Sequence, residues 1–276
     1  MEFVTINGVR IGFERAGAGR PLVLSGGTGM PPVAWELCGL RGALAGAGFE
    51  VVTYAARGVA PSDAPPAPYA MADLVADLAG LMDHLGLTRA PVVGYSLGSF
   101  TTELLARTRP DLVSSVVLLA GAGPLTGVVD AVVAAEDELI SLLGHLPPAY
   151  ARLQTLMSSL PPRTLRDDPE QVAMWRELLG GQDSVWTSRE GDAGQVAAAR
   201  DWLHDPERMV ALTGIRVPAL VAAFEHDLYF PPRAGRAAAG LLPRGIFAQV
   251  DGAAHGGLLT HPRETREVLL RFLAEH

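Results

Sequence analysis

The sequence predicts an α/β fold: a mostly parallel sheet of about eight strands, flanked by helices and carrying one inserted helical segment. Three observations point to it. Short apolar, β-branched runs alternate with helical stretches in both terminal parts of the chain, the order that builds a parallel sheet covered on both faces. An apolar strand, a tight glycine-bounded turn and a helix follow one another without a gap between Ala90 and Arg107. From Gly123 to about Leu212 strand-like runs cease altogether.

Taken in order, residues 3–6 and 9–14 form a hairpin across Asn7-Gly8, a favoured two-residue turn. Residues 21–24 are the next strand, which runs into Ser25-Gly26-Gly27-Thr28-Gly29. A single helix is expected over residues 33–47, closed by Gly48 as C-cap. Residues 49–54 read as a buried strand, residues 70–85 as an amphipathic helix stopping at Gly86, residues 90–93 as the central strand and residues 115–119 as another. In the middle segment, Pro-rich and charged turns (Leu146-Pro147-Pro148, Leu160-Pro161-Pro162, Asp167-Asp168-Pro169) separate helical stretches. That segment, residues 124–212, is expected to be a cap of about three or four helices on a sheet domain formed by residues 1–123 and 213–276. Strands at residues 216–224 and 246–250 and helices at 232–242 and 262–274 complete the pattern.

Composition narrows the function. Of 276 residues, 49% are hydrophobic and 19% charged, which suits a packed domain and not a disordered chain. The net charge of −8 lacks the clustered basic face that nucleic acids require. All 22 basic residues are arginine, a bias that matches the abundance of Ala, Gly and Pro and suggests GC-rich coding rather than a functional device. A single cysteine, Cys38, allows no internal disulfide and fits a reducing compartment. The N-terminus shows no basic-then-apolar leader pattern and no run is long enough to span a bilayer, so a cytoplasmic location with no membrane partner is expected.

Gly94-Tyr95-Ser96-Leu97-Gly98 carries the chemistry. A turn this tight needs nearly side-chain-free residues two before and two after the serine, and it lifts the Oγ clear of the backbone. A serine hydroxyl is a weak nucleophile alone; it needs a histidine to take its proton and a carboxylate to fix that histidine. Both should stand at carboxyl ends of strands, on the edge of the sheet where Ser96 lies. Asp227 follows the strand ending at Phe224, and His255 follows the last strand in the small-residue loop Gly252-Ala253-Ala254-His255. Glu225 and His226 are adjacent rivals to Asp227. Of the seven histidines, His84, His145, His204, His261 and His276 fall on expected helices or chain ends, where structural roles are expected.

With these motifs the chain resembles the α/β-hydrolase family along essentially its whole length. Gly94–Gly98 looks like the family's nucleophile elbow, Val217-Pro218-Ala219-Leu220 running to Asp227 and Pro231 like its acid strand, and Gly252–His255 like its histidine loop. The resemblance implies Ser96 as nucleophile, His255 as general base and acid, and Asp227 as the orienting carboxylate. The oxyanion hole would take the N–H of Leu97 and a second N–H from the Ser25–Gly29 loop, which is similar to the family's His-Gly-Gly-Pro-Gly loop; Gly27 fits best, Thr28 next. Ser25 and Thr28 depart from that loop, and Ala55-Ala56-Arg57-Gly58-Val59-Ala60-Pro61-Ser62 departs from the family's Asp-x-Arg-Gly-x-Gly-x-Ser pattern at Ala55 and Ala60.

Thr28, Tyr95, Trp175 and Trp186 are the candidate substrate-binding residues, the cap aromatics suggesting an apolar-leaning small molecule. No histidine–carboxylate spacing fits a metal and no G-x-G-x-x-G opens a helix after a strand, so neither metal nor cofactor is expected. The expected reaction is cleavage of a carboxylic ester, lactone or thioester. A C–C bond hydrolase, a perhydrolase, an aminopeptidase or a tailoring enzyme of secondary metabolism can keep the same triad, and a receptor on a hydrolase scaffold is the alternative of another class.

Overall fold

The computed structural model describes residues 1–181 and 185–276. Eight strands form one sheet in the order β1-β2-β4-β3-β5-β6-β7-β8. β1 (Glu2–Ile6) and β2 (Val9–Ala16) form the expected hairpin, with Ile6 opposite Val9 and with Asn7 and Gly8 both at positive φ. β2 runs antiparallel to β4 (Phe49–Tyr54). All later pairings, through β3 (Arg20–Ser25), β5 (Ala90–Tyr95), β6 (Val113–Leu119), β7 (Ala219–Phe224) and β8 (Gly245–Val250), are parallel.

Burial explains the strand sequences. β5 and β7 read APVVGY and ALVAAF because helices cover both faces, so alternation gives way to continuous apolar runs. One core cluster joins α3 (Met71–His84) and α4 (Leu97–Thr108) to one face through Leu78, Leu81, Met82 and Leu105. The other packs Trp35, Leu40, Leu44, Leu269 and Phe272 on the opposite face, with α13 (Pro262–Glu275), and Met30 of the Gly-rich loop rests against it.

Two helical expectations are corrected. The single helix expected over residues 33–47 is two, α1 (Ala34–Leu37) and α2 (Leu40–Gly46). Gly39 breaks it at φ +68, and a Cβ there would stand 2.7 Å from Arg266 Nη1. Between β6 and β7 the chain forms more helices than the expected three or four. Among the described residues these are α5 (Gly127–Leu143), α6 (Pro148–Ser159), α7 (Pro162–Asp167), α8 (Pro169–Gly180), α9 (Arg189–His204) and α10 (Arg208–Ala211). Pro148, Pro162 and Pro169 each sit in the first turn of a helix, where a missing N–H costs nothing, so the prolines that looked like separators are helix starts. The remaining helices are α11 (Pro232–Leu241) and the short α12 (Gly257–Thr260). Among the described residues no helix is long and apolar enough to cross a membrane.

Candidate active site

Three loops at the carboxyl ends of β5, β7 and β8 converge. Ser96 stands between β5 and α4 with φ +53 and ψ −117, a backbone conformation that side chains avoid and that persists only where its surroundings enforce it. The enforcement is visible. A Cβ on Gly98 would lie 2.6 Å from the Gly26 oxygen and closer still to Ser25, and one on Gly94 would run into Gly98 and Thr102. Only glycines let α4 approach β5 and the Ser25–Gly26 backbone this closely, and the Ser96 N–H is tied to Leu119 O at 3.0 Å.

Facing Ser96 is His255, whose Nε2 lies 3.1 Å from Ser96 Oγ. Its Nδ1 lies 2.8 Å from Asp227 Oδ2. The second carboxylate oxygen of Asp227 accepts the backbone N–H groups of Tyr229 and Phe230 at 2.8 and 3.0 Å, so the buried carboxylate is held on both sides. The order Nδ1–H to carboxylate and Nε2 toward hydroxyl is the one a general base requires. Glu225 plays a different part. Its carboxylate accepts the Gly252 N–H at 2.7 Å and shapes the turn that carries His255. The His226 backbone N–H donates to Ala253 O, 2.8 Å away, and so joins the two loops.

The imidazole is boxed by aromatic rings. Tyr95, Tyr229 and Phe230 lie 5.5, 5.3 and 6.1 Å from it, Tyr229 edge-on. Tyr95 donates its hydroxyl to the His255 carbonyl at 2.7 Å. Burial raises the Tyr95 and Tyr229 phenols above their ordinary range, so both remain protonated. Tyr95, expected to touch substrate, therefore has its polar end committed to fixing the histidine loop. From above, the last turn of α6 closes on that loop, Ser158 and Ser159 carbonyls accepting His255 and Gly256 N–H groups, each at 3.1 Å.

Gly27 lies beside the serine, close enough that a Cβ on it would be 3.2 Å from Ser96 Cβ. Leu97 opens α4, where the first-turn N–H groups have no helical acceptor and the helix dipole favours negative charge. Among the described residues neither the Gly27 nor the Leu97 N–H has an acceptor. Thr28 is exposed on the same loop, and the Trp186 ring lies against Gly29. Trp175 is placed otherwise: it is buried in a small cluster with Leu156, Leu160 and Leu179, its ring against Gly256, so it packs the helices over the site. The packing of an apolar interior claims it, since α8 has no other large buried ring to set against α6. Among the described residues no cluster of metal-ligating side chains occurs.

The sequence reading missed Tyr229 and Phe230, although both follow Asp227 closely. It also missed Gln195, which is fully buried on α9 and bonded to Gly29; nothing in the run GQVAAAR marks it.

The family model for the alpha/beta hydrolase fold matches residues 22–262. The chain belongs to this family. It is therefore grouped with enzymes, and its relatives carry hydrolase and peroxidase names. The provisionally named non-heme bromoperoxidase BpoC of Mycobacterium tuberculosis is 30% identical over 266 residues, spanning 96% of this chain and 98% of that protein. The crystal structure of BpoC superposes with a TM-score of 0.85 at 30% identity, covering 100% of this chain and 98% of that one. The enol-lactonase of Burkholderia xenovorans LB400 gives a TM-score of 0.82 at 25% identity over 99% of this chain and 100% of that one. A protein of Azorhizobium caulinodans, provisionally named the carbamate hydrolase RutD, is 28% identical over 95% of this chain and 94% of its own length.

Proposed function

We propose that this chain is a cofactor-independent serine hydrolase that cleaves a carboxylic ester, lactone or thioester of a small, apolar-leaning molecule through an acyl-enzyme. The observation that carries the reading is the continuous hydrogen-bonded line from Ser96 Oγ through His255 to Asp227, at 3.1 and 2.8 Å, on a strained elbow that presents the hydroxyl.

In this account Ser96 Oγ attacks the carbonyl carbon as its proton passes to His255 Nε2. Asp227 stabilises the resulting imidazolium through Nδ1–H. Negative charge develops on the former carbonyl oxygen, and the Leu97 and Gly27 N–H groups receive it without reorganisation. His255 then protonates the leaving oxygen or sulfur as its bond to carbon breaks. Water attacks the acyl-enzyme, His255 taking its proton, and the acid leaves with Ser96 restored. Residues 124–212 act as a cap over this centre, with Thr28 and Trp186 at its edge.

The lactonase and carbamate-hydrolase names among the relatives support acyl transfer at a carbonyl carbon. BpoC's name favours a second reading, in which hydrogen peroxide replaces water as acceptor and a peracid is released from the same acyl-enzyme. Turnover of short and medium p-nitrophenyl esters by the wild type, lost in Ser96→Ala and His255→Ala, is the expected result. Peroxide-dependent peracid formation at the expense of acid would move the second reading forward. Tight binding of a ligand with no turnover would replace both with a receptor.

A further inference from the structure

We propose that Gln195 is a positioning residue for the oxyanion hole, pinning the Gly-rich loop that carries the Gly27 N–H to the helical insertion; this rests on the serine-hydrolase reading above. The side chain of Gln195 is wholly inaccessible to solvent, yet both of its polar ends are paired. Oε1 accepts the Gly29 N–H at 3.0 Å and Nε2 donates to the Arg57 carbonyl at 2.8 Å. A buried amide is tolerated when both ends are satisfied and costly when either is not, so the two bonds hold each other in place.

What Gln195 grips is two residues from the proposed donor. The Gly27 carbonyl accepts the Met30 N–H at 3.1 Å, which closes a turn over Thr28 and Gly29, and Gly29 adopts φ +63 within it. Gly29 is thereby caught between the Gln195 amide on one side and the Trp186 ring on the other. With the turn closed and its far corner clamped, Gly27 is held beside Ser96 from its carbonyl side.

α9 is built to bring that amide in. Gly191 packs backbone to backbone on Gly58, and Gly194 lies on the Tyr69 ring. Larger side chains at either position would push the helix off and leave Gln195 short of Gly29. At its other end the clamp is anchored by Arg57, whose guanidinium forms a bidentate buried pair with Asp77 at 2.7 and 2.8 Å. The line Gly29–Gln195–Arg57–Asp77 thus joins the insertion, the oxyanion loop and α3.

An oxyanion donor acts on the transition state more than on the bound ester, and a misplacement of about 1 Å is enough to cost rate. Gln195→Met, which keeps length and apolar bulk but no polar atoms, is expected to lower kcat roughly 10- to 100-fold per titrated Ser96, with KM changed by less than about threefold. The affinity for a trifluoromethyl ketone of matched chain, whose adduct on Ser96 is an oxyanion, should fall by the same factor as kcat. Gln195→Asn, one methylene too short, should show the same pattern and serves where the Met variant does not fold. A merely structural role would instead lower the fraction of enzyme titrated by a fluorophosphonate and leave kcat per site unchanged. Variants within twofold of the wild type in kcat and ketone affinity overturn the inference alone. A wild type with neither ester turnover nor Ser96 labelling overturns the hydrolase reading and this inference with it.

Discussion

Asp227→Asn removes a charge while keeping the shape, and the surrounding loop decides which way the new amide faces. Oδ1 of Asp227 accepts two backbone N–H groups, from Tyr229 and Phe230, at 2.8 and 3.0 Å. The amide oxygen stays with them, which puts the NH2 where Oδ2 now meets His255 Nδ1 at 2.8 Å. Turning the amide over would set a donor against two backbone donors and cost about 1–3 kcal/mol for each one left unpaired. The imidazole therefore yields: Nδ1 becomes the acceptor, and the proton moves to Nε2, which faces Ser96 Oγ at 3.1 Å. On the proposed mechanism the hydroxyl has then lost its base. The loss of a correctly oriented base is worth roughly 1,000- to 10,000-fold in kcat, about 4–5 kcal/mol of barrier. Because both backbone bonds survive, the melting temperature should move by no more than a few degrees, about what 1 kcal/mol produces in a chain of this size. Ester turnover and a thermal melt on the same preparation test this. A folded variant within tenfold of wild-type kcat would refute the argument that Asp227 sets the tautomer of His255.

Three other perturbations probe separate links. Gly98→Ala places a methyl 2.6 Å from the Gly26 oxygen with backbone on every side, so urea unfolding should register a loss of about 3 kcal/mol; a loss under about 1 would mean the elbow relaxes easily. Tyr95→Phe deletes the 2.7 Å bond to the His255 carbonyl and keeps the ring, and should cost about 1 kcal/mol with a few-fold drop in kcat; unchanged turnover would show that the histidine loop holds without it. Glu103, buried on α4 near Arg107 and Arg208, has its carboxyl pushed up to about 7 by desolvation. The folded state thus favours the protonated form, and this group withdraws stability as pH rises from the ordinary glutamate range to about 7. Glu103→Gln should gain on the wild type by about 2 kcal/mol between pH 5 and pH 8, and a constant difference across that range would contradict the assignment.

The parts legible in the sequence are those set by local pattern. β5 and β7 announce themselves because strands buried on both faces need unbroken apolar runs, and the elbow because two glycines at fixed offsets are its steric condition. The positions of Asp227 and His255 follow from the recognisable strands before their loops, which fix the sheet edge they occupy. What the sequence hid depends on distant partners. Gly39 sits in a helix-like run, and the guanidinium that crowds it belongs to Arg266, at the far end of the chain. Trp175 carries the same chemical face whether it packs or binds, and only the neighbours Leu156, Leu160 and Leu179 decide. Gln195 lies 166 residues from the glycine it holds, in a helix whose small residues look like filler until Gly58 and Tyr69 are seen against them.

The most direct test of the central claim is to treat the folded protein with a fluorophosphonate and map the adduct by peptide mass spectrometry. A single stoichiometric adduct on Ser96, formed in step with loss of ester turnover and absent from His255→Ala on the same timescale, is the predicted result. A protein that turns over esters while Ser96 stays unlabelled, or that labels at another residue, would contradict it.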